Sequence, residues 1–97
     1  MDRIGDDAAK ATRAAAVLEV LAHPVRLQIV ALLCHDEADA QMLVSQLRLP
    51  AETVAWHLRV LLSEGLIGLV AGSRGGRYHV VEPVLYGLVA CSEEWTS

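Results

Sequence analysis

Six side chains in the second half of the chain are of types that grip nucleic acid: Thr53, Trp56, His57, Arg59, Arg74 and Arg77. An arginine holds phosphate or pairs bidentately with the N7 and O6 of guanine. Threonine and histidine donate to phosphate oxygens, and an indole packs on sugar or on a thymine methyl group. Two further residues, Cys34 and Cys91, carry thiol chemistry. A thiolate is a nucleophile and a metal ligand where its surroundings expose it and lower its pKa. With His35 next in sequence, Cys34, His35 and Cys91 are a ligand set of suitable types for a metal ion, which leaves the identity of any metal open.

These side chains act together only if the elements beneath them present them on one surface. Residues 8–22 are Ala-rich, with Ala14, Val17, Leu18 and Leu21 at the spacing of one helical face. Asp6 and Asp7 fall where an N-cap and a first-turn acid belong. His23-Pro24 breaks that helix and opens a second. Leu27, Val30, Ala31 and Cys34 line one face of the second helix, which ends before His35-Asp36-Glu37. Asp39 caps a short third helix over residues 40–47, with Met42, Leu43 and Leu47 directed inward. A tight turn, Arg48-Leu49-Pro50, leads to a fourth helix over residues 51–63, whose Val54, Leu58 and Leu61 recur at i, i+4 and i+7. Gly65 stops it. Residues 66–71 and 77–81 are β-compatible, and the glycine-rich stretch 72–76 joins them as a hairpin. Pro83 opens a last helix in which Val84, Leu85, Leu88 and Val89 are apolar. The expected fold is mainly α with a small β-hairpin, α-α-α-α-β-β-α, in a single domain over residues 1–97. Two short helices joined by a tight turn and followed by a hairpin are the winged helix-turn-helix plan, in which the second helix of the pair enters the major groove.

Composition adds a partner. Hydrophobic residues make up 54% of the chain, with no Phe, two Trp and two Tyr. A domain this small buries a limited share of its surface, so the aliphatic surplus calls for a second subunit and a homodimer. The acidic start, Met1 to Asp7, lacks the apolar stretch of a signal peptide. No apolar run approaches the ~20 residues of a membrane helix. Two cysteines are too few for a disulfide scaffold. The expected setting is cytoplasmic, with no membrane partner. Net charge is −4, but its distribution is uneven. Between Gln46 and Val81 four arginines face two glutamates, while the rest of the chain carries four cations against ten acids. The middle suits phosphate and both ends stay acidic. No phosphate-binding glycine loop, carboxylate pair beside a histidine or nucleophile motif is present, which excludes the common enzyme classes.

Four strings, in order, resemble the ArsR/SmtB repressors: Leu21-Ala22-His23-Pro24-Val25-Arg26-Leu27-Gln28-Ile29-Val30, Val54-Ala55-Trp56-His57-Leu58-Arg59-Val60-Leu61, Glu64-Gly65-Leu66-Ile67 and Gly76-Arg77-Tyr78. The resemblance spans residues 17–81. It implies a winged helix-turn-helix repressor that binds duplex DNA as an obligate homodimer built from its first and last helices. The family's Ser or Gln positions early in the recognition helix are here Pro50, Ala51, Glu52 and Ala55. Thr53, Trp56, His57 and Arg59 remain for DNA. Glu52 repels phosphate, although it suits a helix N-terminus and can accept from cytosine. Several members of the family sense metals or thiol-reactive species through cysteines in the second and last helices. Cys34 and Cys91 have that broad placement, with Cys34 late in its helix. The family's Cys-x-Cys motif and its Asp-x-His plus His-x-x-Glu pattern are absent.

Each site residue also has an ordinary reading. Arg59 lies opposite Val54, Leu58 and Leu61, and so contacts DNA or is a plain surface cation. Trp56 packs on DNA or fills a gap against the hairpin. His57 touches phosphate or bonds a backbone carbonyl within the fold. Arg74 and Arg77, with no acid nearby in sequence, suit minor-groove insertion from the hairpin tip. Cys34 continues an apolar stripe and reads equally as a small core hydrophobe. Sequence-specific repression by operator occlusion, released by a thiol-reactive or metal inducer, is the reading of the whole. A winged-helix module that pairs with protein instead of DNA is the alternative, favoured by the acidic pI of about 5.4. No cofactor is required by either.

Overall fold

Helix α1 (Asp2–Leu21) and helix α2 (Pro24–His35) are separated by two residues, and the chain turns through 104° between them. The computed structural model describes the backbone of residues 2–96 and the side chains of residues 8–90. After α2 come α3 (Ala40–Leu47), α4 (Ala51–Ser63), β1 (Ile67–Leu69), β2 (Tyr78–Val80) and α5 (Val84–Thr96). The order is the one expected, and it is a winged helix-turn-helix: α3 and α4 form the helix pair and β1–β2 the wing.

Local chemistry fixes the helix pair. The Asp39 carboxylate accepts from the Met42 amide at 2.8 Å and caps α3, an interaction worth about 1 kcal/mol. Arg48 ends α3 in the left-handed region, with φ 56°, and its amide donates to the Val44 carbonyl at 2.8 Å. Three residues later α4 begins behind Pro50. It closes with two reversed bonds, Gly65 N–H to Leu62 O at 3.0 Å and Leu66 N–H to Leu61 O at 3.1 Å. That pattern needs a left-handed residue after the cap, which Gly65 supplies at φ 72°.

The wing is shorter than expected. Ile67, Gly68 and Leu69 pair antiparallel with Val80, His79 and Tyr78. Beyond them Val70 N–H still donates to Arg77 O at 2.8 Å, but the turn takes over. The Ser73 hydroxyl and amide both donate to Val70 O, and its oxygen accepts from Arg77 N–H at 3.1 Å. At the base, Ala38 and Tyr78 exchange two backbone bonds, tying the α2–α3 link to β2 as a third, one-residue strand.

The core gathers Val17 and Leu21 of α1, Ile29, Val30 and Leu33 of α2, Leu43 of α3, Val54, Leu58 and Leu61 of α4, and Leu85 and Val89 of α5. Several expectations shift. α1 starts at Asp2, so Asp6 and Asp7 lie within it and do not cap it; acids still suit its positive end. α2 is buried along Ile29, Val30 and Leu33, while Leu27, Ala31 and Cys34 are half-buried. An almost wholly apolar helix carries little directional signal, so neighbours on several sides set its face. Met42 is 47% exposed although inward placement was expected, because Leu43 takes the buried position of α3. Leu18 of α1 is 52% exposed, and Val84 and Tyr86 of α5 are similarly open. Among the described residues no single helix is long and apolar enough to cross a membrane.

Candidate nucleic-acid interface

α4 is two-faced. Val54, Leu58 and Leu61 are sealed in the core, while Glu52, Trp56, Arg59 and Ser63 form an exposed stripe at i, i+4, i+7 and i+11. Thr53 and Ala55 are half-buried at its margins. Beside it, the exposed side of α3 adds Gln41, Ser45, Gln46 and Arg48 around a shallow open groove. These α3 side chains were not singled out from sequence, although their polar types at one helical spacing are visible there.

His57 is a correction. It is only 3% exposed, and its Nδ1 is buried with no hydrogen-bond partner, so it neither faces a phosphate nor bonds a carbonyl through that atom. Its ring lies between His23, at 4.4 Å, and Trp56, edge-on at 4.8 Å. Burial pushes the His57 imidazole below its ordinary value, and the adjacent His23 and Arg26 push in the same direction. The unfolded chain takes up a proton on this imidazole near pH 6.5 and the folded chain only at lower pH. Stability from a neutral, buried His57 is therefore complete above that value and lost as pH falls below it. The melting midpoint of the wild type should drop further between about pH 7.5 and about pH 5.5 than that of His57→Gln. Parallel profiles would show that folding does not shift the His57 imidazole.

Trp56 is half exposed, and its ring neighbours are His57 and the guanidinium of Arg26, 5.8 Å from the ring centroid. These contacts join α4 to the start of α2 and not to the hairpin, which was one of the two expected neighbours of Trp56. His23 and Arg26 were missed as site residues, although the pair flanks Pro24 at the opening of a helix.

Residues 23–68, which take in both helices of the pair, match the family described as bacterial regulatory protein, arsR family. Over that segment the chain is similar to the arsR family. Solved structures agree in fold. The transcriptional repressor BigR from Xylella fastidiosa superimposes with a TM-score of 0.78 at 28% identity, over 90% of this chain and 86% of that one. A predicted DNA-binding transcriptional regulator from E. coli gives 0.84 at 26%, over 93% and 96%. The homodimeric winged helix-turn-helix DNA-binding domain of Mb0332 from Mycobacterium bovis, a possible ArsR-family regulator, gives 0.74 at 25%, over 92% and 82%. No curated protein sequence matches the chain.

Within this winged helix-turn-helix fold the wing places Arg74 at an exposed tip between positive-φ glycines Gly72 and Gly75. Arg77 is exposed but sits 3.7 Å from Glu37 at the end of the α2–α3 link. The expectation of no nearby acid fails there, because the chain folds Glu37 back against the wing base. The two thiols divide. Cys34 is half-buried and packs against the core, as a small hydrophobe does. The Cys91 side chain lies outside the described residues, and so does any ligand set of Cys34, His35 and Cys91. Among the described residues no cluster of three His, Cys, Asp or Glu side chains could hold a metal.

Proposed function

We propose that this chain is a transcriptional repressor that binds duplex DNA in the cytoplasm as a homodimer and acts by operator occlusion. The observation that carries the reading is the division of α4: its inner face is locked by Val54, Leu58 and Leu61, and its outer face offers Trp56 and Arg59 beside a wing tipped by Arg74. Two such helices related by a twofold axis enter successive major grooves about 34 Å apart, which predicts a pseudo-palindromic operator. Thr53 lies at the edge of this surface and Arg77 supports the wing. BigR, similar in fold and sequence, is a transcriptional repressor.

The homodimer reading rests on α1 and α5. Leu18, Val84 and Tyr86 leave large apolar side chains open on the first and last helices of a single 97-residue domain. The Arg13 guanidinium, 3.0 Å from Glu82, holds α1 close to the start of α5. The Mb0332 domain is homodimeric. An inducer, whether thiol-reactive through Cys34 and Cys91 or a metal, works by favouring the DNA-incompetent dimer by about 1–3 kcal/mol. The alternative, a module that binds protein and not DNA, draws on the exposed Glu52 at the head of α4 and the net charge of −4.

Fluorescence anisotropy on a labelled duplex from the protein's own upstream region tests the proposal across a salt series. Each phosphate contact contributes about −0.9 to the slope of log affinity on log salt, and binding that steepens in this way is expected. A flat response with no preference for duplex over buffer competitor hands the reading to the protein-partner alternative. Mild oxidation supplies the second arm: release assigns the switch to the thiols, and equal binding removes them from the mechanism.

A further inference from the structure

We propose that Arg26 is a positioning residue for duplex binding: its guanidinium holds the Trp56 indole against the buried His57 ring, so that the indole meets DNA in one orientation. The proposal rests on the DNA-binding reading above and adds a residue that acts through Trp56 without touching DNA.

Trp56 stands in the middle of the exposed stripe of α4, between Glu52 and Arg59, and is 50% exposed. An exposed side chain ordinarily exchanges rotamers within picoseconds to nanoseconds. This one is restrained by two neighbours. His57 lies edge-on to the indole, with ring centroids 4.8 Å apart and an interplanar angle of 76°. That neighbour is itself fixed. The His57 ring is buried and packs 4.4 Å from the ring of His23, which caps α2 by accepting from Val25 N–H. The second neighbour is Arg26, half-buried in the first turn of α2, whose guanidinium carbon lies over the indole 5.8 Å from its centroid.

No described carboxylate pairs with that guanidinium, and its Nε is buried without a hydrogen-bond partner. The electron-rich face of the indole is the attractive group that its charge meets. α2 is locked into the core through Ile29, Val30 and Leu33, so the guanidinium is carried by a fixed helix other than the one it braces. An indole already held in its bound orientation loses less freedom when it packs on sugar or on a thymine methyl group. Once released, it occupies that orientation for a fraction of the time, and apparent affinity falls by that fraction. A cation–π contact at a half-exposed ring corresponds to a factor of about two to five. A charge that acts through the ring makes no phosphate contact, so its loss releases no counterion.

The test is a double-mutant cycle of Arg26→Gln and Trp56→Ala, read by anisotropy on the labelled upstream duplex over a salt series. Trp56→Ala should weaken binding about tenfold or more, and Arg26→Gln about two- to fivefold. Neither should lower the salt slope by the unit that a lost phosphate contact removes. In the Trp56→Ala background Arg26→Gln should cost nothing further. Arg26→Lys, which keeps a cation over the ring, should recover most of the loss. Trp95→Phe protein gives a direct readout, because Trp56 is then the one indole left. Its time-resolved fluorescence anisotropy should gain a fast component with Arg26→Gln and not with Arg26→Lys. Circular dichroism checks folding, and Arg26→Met, which keeps the stem without the charge, replaces the glutamine variant if that does not fold. Equal losses from Arg26→Gln with and without Trp56, a slope lower by about one unit, or unchanged indole motion overturns the positioning role and leaves duplex binding by α4 intact. Wild-type affinity in Trp56→Ala overturns it as well. Absence of salt-dependent binding by the wild type overturns the DNA reading itself, and this role with it.

Discussion

Replacing Leu58 by alanine is expected to lower the unfolding free energy by about 2–5 kcal/mol, the range for truncating a fully buried leucine. Leu58 is 1% exposed and lies midway along the inner face of α4, between Val54 and Leu61, both fully buried. Removing three carbons there leaves a cavity that the neighbouring side chains can close only by shifting α4 itself. For a domain of this size each 1 kcal/mol moves the melting midpoint by about 4–8 °C, so the drop should be roughly 10–30 °C. Thermal melts followed by circular dichroism at one fixed protomer concentration measure it, since the proposed dimer would make the midpoint concentration-dependent. Arg59→Ala, one residue away but on the exposed face, should stay within about 0.5 kcal/mol of wild type. A drop of only a few degrees for Leu58→Ala would mean that α4 is not packed on the core as described. The same loss should carry DNA affinity down with it, because the helix that presents Trp56 and Arg59 would no longer be held in one place.

The helix pair was legible because its signals are local. Asp39 caps the residues that follow it directly, Gly65 reverses the chain beside the helix it ends, and both α3 and α4 have the bounds read from sequence. What was not legible depends on residues distant in the chain. The Ala38–Tyr78 bridge and the approach of Arg77 to Glu37 join segments forty residues apart, and no local pattern announces either. α2 was misoriented because it is apolar nearly all round, leaving its neighbours to choose the buried side.

His57 is more instructive, since its placement was available. Val54, His57 and Leu61 are spaced by three and four, which puts His57 on the buried stripe of α4, but a polar side chain there reads as exposed unless the spacing is given more weight than the residue type. Arg26 lay unnoticed for the opposite reason. It sits in a string that marks the start of α2, and only the fold shows that this start abuts Trp56. Leu18, Val84 and Tyr86 are open on α1 and α5, the two helices that the resemblance had marked for a second subunit, while Met42, Trp56, Leu69 and Val81 are open elsewhere.

That placement yields the other large expected effect. Leu18→Glu should raise the dimer dissociation constant by about 100-fold or more. Twofold symmetry puts the substitution into the interface twice, and burying an unpaired carboxylate against apolar surface costs several kcal/mol where about 2.7 kcal/mol corresponds to 100-fold. In the isolated protomer the side chain is 52% exposed and lies on the surface of α1, so the helical content by circular dichroism should hold while sedimentation equilibrium shows monomer. DNA binding should collapse in parallel, because one α4 and one wing cannot span two half-sites. Tyr86→Glu on α5, also an open position at 49% exposure, should act in the same direction and separates a shared α1–α5 interface from one confined to α1. If the Leu18→Glu protein remains a dimer at wild-type concentration, the subunits meet on some other surface, and the apolar stripe of α1 requires another explanation. If it is monomeric yet keeps full affinity and slope for duplex DNA, the paired-groove geometry is wrong and a single protomer is the binding unit.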